Sequence, residues 1–165
     1  MDWKNHIEAA YKASAGFTQF GSLPVFAEPA KIEEIYVIEN SLNCQIPMNL
    51  RDLLLQTDGV NEKMLIDGKY IASNIFIFSS KEIIEINSWF RKNEDQIRPK
   101  KSFDEVLFFG QTGVDGICFA LPTSNVEGDK VGGVYAWYPI DCKFINIAET
   151  LEELTFNWPS GKLAV

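Results

Sequence analysis

The sequence contains one histidine, His6, and three cysteines, Cys44, Cys118 and Cys142. A Ser-His-Asp or Cys-His device would have to recruit that single imidazole, and so would most zinc sites. His6 sits in the polar, helix-patterned stretch MDWKNHIEAAYK and reads as an exposed helix residue. The cysteines are odd in number, widely spaced and form no C-x-x-C pair, so they read as reduced, buried thiols rather than a disulfide framework or zinc knuckle. The glycines of FFGQTGVDGICF have the look of a phosphate loop, but lysine is missing and a strand, not a helix, follows. A β-hairpin loop accounts for them better. Carboxylates remain. Asp115, Glu127, Asp129 and Asp141 fall in or beside loops that join strand candidates. Two that converged would make an acid–base pair or a metal site with oxygen ligands. Spacing alone does not show such convergence, and they read as an acidic rim. Trp137 and Tyr138 are adjacent on a strand candidate, so one belongs to the core and the other is free to anchor a partner.

The elements that must position these residues are set by periodicity. At 165 residues, with 46% hydrophobic and 13% aromatic content, the chain suits one globular domain. No apolar run approaches the ~18 residues of a membrane span, and MDWKNHIEAAYK lacks the apolar centre of a signal peptide, so a cytosolic protein is expected. A helix over Asp2 to Ser14 puts Trp3, Ile7 and Tyr11 on one face. GFTQFGSLPVFAEP reads as an irregular connection. Pro29 opens a second helix, with Ile32, Ile35, Tyr36 and Leu42 as its apolar stripe. Pro47 opens a third, with Leu50, Leu53 and Leu54 inward, and Thr57-Asp58-Gly59 stops it.

After Val60 the period becomes that of strands. MLIDGKY predicts a hairpin turning at Asp67-Gly68. Asn74–Phe78, Val106–Phe109, Gly116–Leu121 and Gly133–Tyr138 are strand candidates, and KFINI is a shorter one. Ser79 to Glu82 and Thr150 to Glu153 have capping-box spacing and start helices. IRPKKSFDE reads as a polar loop. The expected fold is α+β, a largely antiparallel sheet wrapped by helices.

PAKIEEIYVIENSLNCQIPMNLRDLLLQTDGV resembles the start of a SUKH domain, the superfamily that includes Smi/Knr-type cell-wall assembly regulators. The residues that carry the likeness are Pro29, Ile32, Glu33, Leu42, Ile46, Pro47, Leu53, Leu54, Asp58 and Gly59. Asp58 stands where asparagine is common. VLFFGQTGVDGICFAL, GVYAWYPID and AETLEELTFNW are similar to later parts of the pattern, so the likeness covers roughly residues 28–158. It implies a binding module without catalytic or cofactor chemistry. Many bacterial members look like immunity proteins that neutralise a toxin, often a nuclease, and others are regulatory scaffolds. The reading from residues alone leaves a hydrolase or metal-dependent enzyme built on the loop carboxylates as the alternative.

Charge bears on the partner. The balance is 15 Lys+Arg against 23 Asp+Glu, net −8, which opposes nucleic-acid binding and suits a basic protein. The expected contact surface is one side of the sheet with its loops, carrying Asp115, Glu127, Asp129, Trp137, Tyr138 and Asp141.

Overall fold

The computed structural model describes residues 1–14, 22–123 and 132–163. Among these, six α-helices surround one seven-stranded antiparallel sheet, the expected α+β architecture. The helices are α1 (Trp3–Ala13), α2 (Ile32–Leu42), α3 (Met48–Leu54), α4 (Ser80–Lys92), α5 (Glu94–Ile97) and α6 (Leu151–Asn157). The strands are β1 (Leu23–Phe26), β2 (Val60–Ile66), β3 (Lys69–Ile77), β4 (Val106–Gln111), β5 (Cys118–Pro122), β6 (Val134–Tyr138) and β7 (Lys143–Ala148). They lie side by side in chain order, a meander from β1 to β7.

Local chemistry explains most boundaries. Asp2 caps α1 by accepting from the Asn5 amide at 3.1 Å. At α4, the Glu82 carboxylate accepts from the Ser79 amide at 2.8 Å while the Ser79 hydroxyl accepts from the Glu82 amide at 3.3 Å. Asp58 adds to the same helix start, accepting from the Ser80 amide at 2.6 Å and the Ser80 hydroxyl at 2.9 Å. Thr57-Asp58-Gly59 therefore does more than end α3. It joins that end to α4, and the Thr57 hydroxyl accepts from the Ala27 amide at 3.0 Å just after β1.

Two apolar clusters hold the sheet. The larger one gathers Trp3, Ile7 and Tyr11 of α1, Ile35 and Ile38 of α2, Leu50, Leu53 and Leu54 of α3, and Leu151 and Leu154 of α6 against Phe76, Leu107, Phe109, Phe119 and Val134. The smaller one packs Phe90 of α4 and Phe103 against Val106, Phe108, Cys118, Ala120 and Trp137. β4 and β5 alternate between the clusters, so both faces of the sheet centre are dry. This is why VLFFG reads as a continuous apolar run rather than an alternating one. Phe90, Phe103, Phe108, Trp137 and Phe144 form one aromatic group with ring centroids 4.3–6.4 Å apart.

Several expectations are corrected. Leu23–Phe26 is an edge strand, not irregular chain, and Pro24 is tolerated there because an edge strand has an unpaired side. Pro29 lies before α2 rather than in it. The Ala30 amide donates to the Leu54 carbonyl at 2.9 Å, and the helix begins at Ile32. Tyr36 is half-exposed and Ile38 takes its expected place in the core. MLIDGKY and NIFIF belong to one hairpin whose second strand runs unbroken from Lys69 to Ile77. IRPKKSFDE is not a plain polar loop: α5 ends at Ile97, and Phe103 is fully buried in a short 3₁₀ turn. The Glu94 carboxylate closes that segment by accepting from the Phe103 amide at 2.8 Å.

The junction at the middle of the sheet is narrow. β3 pairs with β4 only through Ile77 and Gly110, supported by the Phe78 amide donating to the Phe109 carbonyl at 2.8 Å. The strands approach so closely that a Cβ on Gly110 would stand 2.3 Å from the Phe76 carbonyl oxygen. Next to it, Asn87 of α4 acts as a substitute strand. Its amide donates to the Phe108 carbonyl at 2.8 Å and its carbonyl accepts from the Phe108 amide at 2.8 Å.

Candidate functional site

The meander places three turns at one end of the sheet. β2, β4 and β6 finish there, and β3, β5 and β7 begin there. The first turn is Asp67-Gly68, both with positive φ, as a two-residue hairpin turn requires. The second spans 112–117. The Thr112 amide donates to the Ile117 carbonyl at 3.1 Å, and its hydroxyl accepts from the Val114 amide at 3.1 Å. Asp115 at its tip is exposed and left-handed, with a φ of 53°, which aspartate tolerates better than most residues. The third turn spans 139–142 and carries Asp141, whose carboxylate meets the Lys143 ammonium at 2.9 Å. The second and third turns are neighbours, since a Cβ on Gly116 would lie 3.6 Å from the Pro139 ring.

The sequence-derived candidates separate here. Asp115, Tyr138 and Asp141 share the turn end. Tyr138 is half-buried, with Lys143 5.9 Å from its ring centre. Trp137 is withdrawn from the expected contact surface: it is 0% exposed and belongs to the smaller aromatic cluster. Strand alternation forces this, because Trp137 pairs with Cys118 and Phe144 on the face that α4 covers. Glu127 and Asp129 lie outside the described residues. The described flanks of that stretch, Thr123 and Gly132, sit at the opposite end of the sheet from Asp115 and Asp141. Around the turns, Val114 and Ile140 are 60% and 86% exposed, an apolar addition that sequence reading passed over.

A cleft of about 780 Å³ opens beside these turns, between the β1–β3 hairpin region and the 112–117 turn. Its lining includes Val25, Glu62, Lys63, Tyr70, Asn74 and Gln111. A chain of polar contacts supports it. The Tyr11 hydroxyl of α1 donates to Glu62, the Asn74 amide donates to the same carboxylate at 3.0 Å, and the Gln111 amide reaches Asn74 Oδ1 at 3.4 Å. Burial, then the Glu62 charge, raise the Tyr11 phenol far above its ordinary range, so it stays a donor. Glu62 is the one carboxylate among the described lining residues.

Other potentially reactive groups are occupied or masked. His6 is half-buried, not exposed as expected. Its Nε2 lies 3.0 Å from the Glu152 carbonyl oxygen and its ring leans on Trp3 and Phe156. Burial pushes the Cys118 thiol up to about 12. Burial also raises Cys44, against the opposing pull of the Arg91 guanidinium. All three cysteines are free. Among the described residues, no three His, Cys, Asp or Glu side chains group in a way that would hold a metal ion, and no helix is long and apolar enough to cross a membrane.

A seven-strand antiparallel meander, backed by helices and presenting its turns at one end, defines an α+β scaffold. The SMI1 / KNR4 family (SUKH-1) model matches residues 29–157, and the chain belongs to that family. No curated protein matches the sequence.

Proposed function

We propose that the protein is a non-catalytic, cytosolic binding module of the immunity type, which masks a basic protein toxin, a nuclease being the class the family suggests. The observation that carries this reading is the turn end of the sheet. Asp115 and Asp141 lie there beside the half-buried Tyr138 and the exposed Val114 and Ile140, on a rigid sheet. Acidic groups at a rim speed capture of a basic partner, and apolar and aromatic groups hold it once water leaves. Glu127 and Asp129 are further candidates for the acidic rim. The net charge of −8 supports the same sign of partner. The enzymatic alternative has less support, since among its described lining residues the cleft offers Glu62 without a second carboxylate to share acid–base work.

The test screens the proteins encoded by the genes adjoining this one for a basic domain that the purified protein binds, and uses that domain as the toxin. Asp115→Lys combined with Asp141→Lys is expected to slow association and flatten its salt dependence, with an unchanged circular dichroism spectrum. Tyr138→Ala is expected to speed dissociation. Wild-type kinetics and protection in both variants would remove the turn end as the binding surface. A protein that binds no such domain would leave the scaffold reading in its place.

A further inference from the structure

The hairpin of β2 and β3 outruns its neighbour. β3 is nine residues long, yet it meets β4 only at Ile77. The chain of β4 turns aside at Thr112, and the Asn74 side chain fills the fork by packing on Gly113, where a Cβ would come within 2.5 Å of it. Beyond Asn74, residues Lys69 to Ser73 are all exposed, and among the described residues no strand pairs with them on the β4 side.

The ladder identifies which backbone groups face that opening. Residues flanking a two-residue turn exchange both backbone bonds, and every second residue after them does the same. Ile66–Lys69 and Met64–Ile71 are therefore the bonded pairs with β2. Tyr70 and Ala72 turn their N–H and C=O groups the other way, into the open side of the sheet. This is an edge inside the sheet, bordered by the cleft rather than by the end of the fold. Edges of this length are normally blunted or covered. The side chains near it are apolar at Tyr70, Ile71 and Val114, which are 51%, 50% and 60% exposed.

We propose that this open side of β3 is where a partner protein adds an extended strand, one that alternates apolar and basic side chains. The inference rests on the reading of the protein as a binding module and names how the partner docks. Strand addition supplies main-chain bonds at Tyr70 and Ala72, while alternate side chains reach the apolar margin. The basic character comes from charge. Glu62 and Lys63 line the cleft beside the edge, with the Lys63 ammonium engaged 5.0 Å from the Tyr70 ring centre and Glu62 held by Tyr11 and Asn74, while Asp67 and Asp115 stand in the two turns that border the opening. The whole chain carries −8, which disfavours a second copy as the occupant.

The experiment measures amide hydrogen exchange by NMR on the labelled full chain. The probe is a synthetic decapeptide alternating lysine and valine, compared with one alternating glutamate and valine. At saturation with the lysine peptide, the Tyr70 and Ala72 amides are expected to slow by about tenfold or more. The glutamate peptide is expected to leave them unchanged. Ala72→Pro removes a donor from the open side while sparing the β2 ladder, so it should abolish peptide binding, and Ala72→Val should retain it. Protection elsewhere, or equal protection by both peptides, overturns the proposal. So does slow exchange at Tyr70 and Ala72 that grows with protein concentration alone, which would give the edge to a second copy. If the toxin domain fails to bind while the peptide still protects β3, the toxin reading falls and this one stands. A toxin domain that binds Ala72→Pro with wild-type affinity removes this one alone.

Discussion

Replacing Asn87 by leucine tests the most concentrated polar device in the fold. Asn87 is 1% exposed, and its side chain serves both the N–H and the C=O of Phe108, each at 2.8 Å. Leucine has a similar volume and no polar atoms, so packing is nearly kept while both backbone groups lose their partner inside the core. A buried group left unpaired costs about 1–3 kcal/mol, which puts the pair at about 2–6 kcal/mol. Domains of this kind have ~5–15 kcal/mol in total, so the variant should remain folded with a much reduced margin. Urea denaturation monitored by tryptophan fluorescence should show a lower midpoint at an unchanged slope. Asn87→Asp separates the two bonds. A carboxylate still accepts from the Phe108 amide but cannot donate to the Phe108 carbonyl, and it faces the Ile83 carbonyl as well. Its folded-state affinity for a proton therefore rises above the unfolded value of about 3.9. Below that value the acid is protonated in both states and its hydroxyl can donate, so the deficit against wild type should shrink as pH falls from 7 toward 4. A loss under about 1 kcal/mol for Asn87→Leu would refute the reasoning, and so would a deficit for Asn87→Asp that ignores pH.

Gly110→Ala should force β3 and β4 apart at their only paired position, because its Cβ would stand 2.3 Å from a backbone oxygen that cannot swing away. The expected result is a loss of about 2–4 kcal/mol in denaturant with faster amide exchange at Ile77 and Phe78, and an unchanged midpoint would contradict it. Tyr11→Phe removes the donor to Glu62 and should cost about 1–2 kcal/mol at pH 7. The Tyr11 phenol is raised above its ordinary value of 10.0 by burial and then by Glu62. Its contribution is therefore complete below pH 10 and is lost as pH climbs beyond it, so wild type should lose more stability than the phenylalanine variant between pH 9 and 11. Parallel pH curves for the two proteins would show that Tyr11 ionisation is not coupled to folding.

Much of the fold was legible because its signals are local. Ser79 and Glu82, Asp67-Gly68, and the leucines of α3 each specify an element from a few neighbouring residues. What escaped reading depends on residues far apart in the chain. Phe103 sits among lysines and acids, and only the pocket formed by Phe90, Phe108 and Trp137 makes it core. Leu23–Phe26 becomes a strand because β2 offers it an edge. The cleft was hidden for a sharper reason. A two-residue turn at Asp67-Gly68 pairs Lys63 with Ala72, and a regular ladder would then set Glu62 opposite Ser73. A bulge slips the register by one and brings Asn74 to Glu62 instead. Nothing in the residue types announces that slip. Trp137 and Tyr138 show the intermediate case, where alternation says that one is buried and only the position of α4 says which.

The contact between α1 and α6 has a consequence for how the molecule assembles. The strands can zip one after another, since each needs only its predecessor. The helices that flank them cannot. His6 meets the backbone of Glu152 across 146 residues of chain, and Trp3 and Phe156 close around it. Until Glu152 has been synthesised, α1 has no surface on which to rest this side, and the apolar face of Trp3 and Ile7 stays partly wet. α1 is thus made well before the α6 surface it packs against, and a nascent chain arrested in the strands would leave that face of α1 open to chaperones and proteases. Closing so large a loop costs only a few kcal/mol more than closing a small one. The delay is a matter of timing rather than of final stability, and it ties the survival of the early chain to completion of α6.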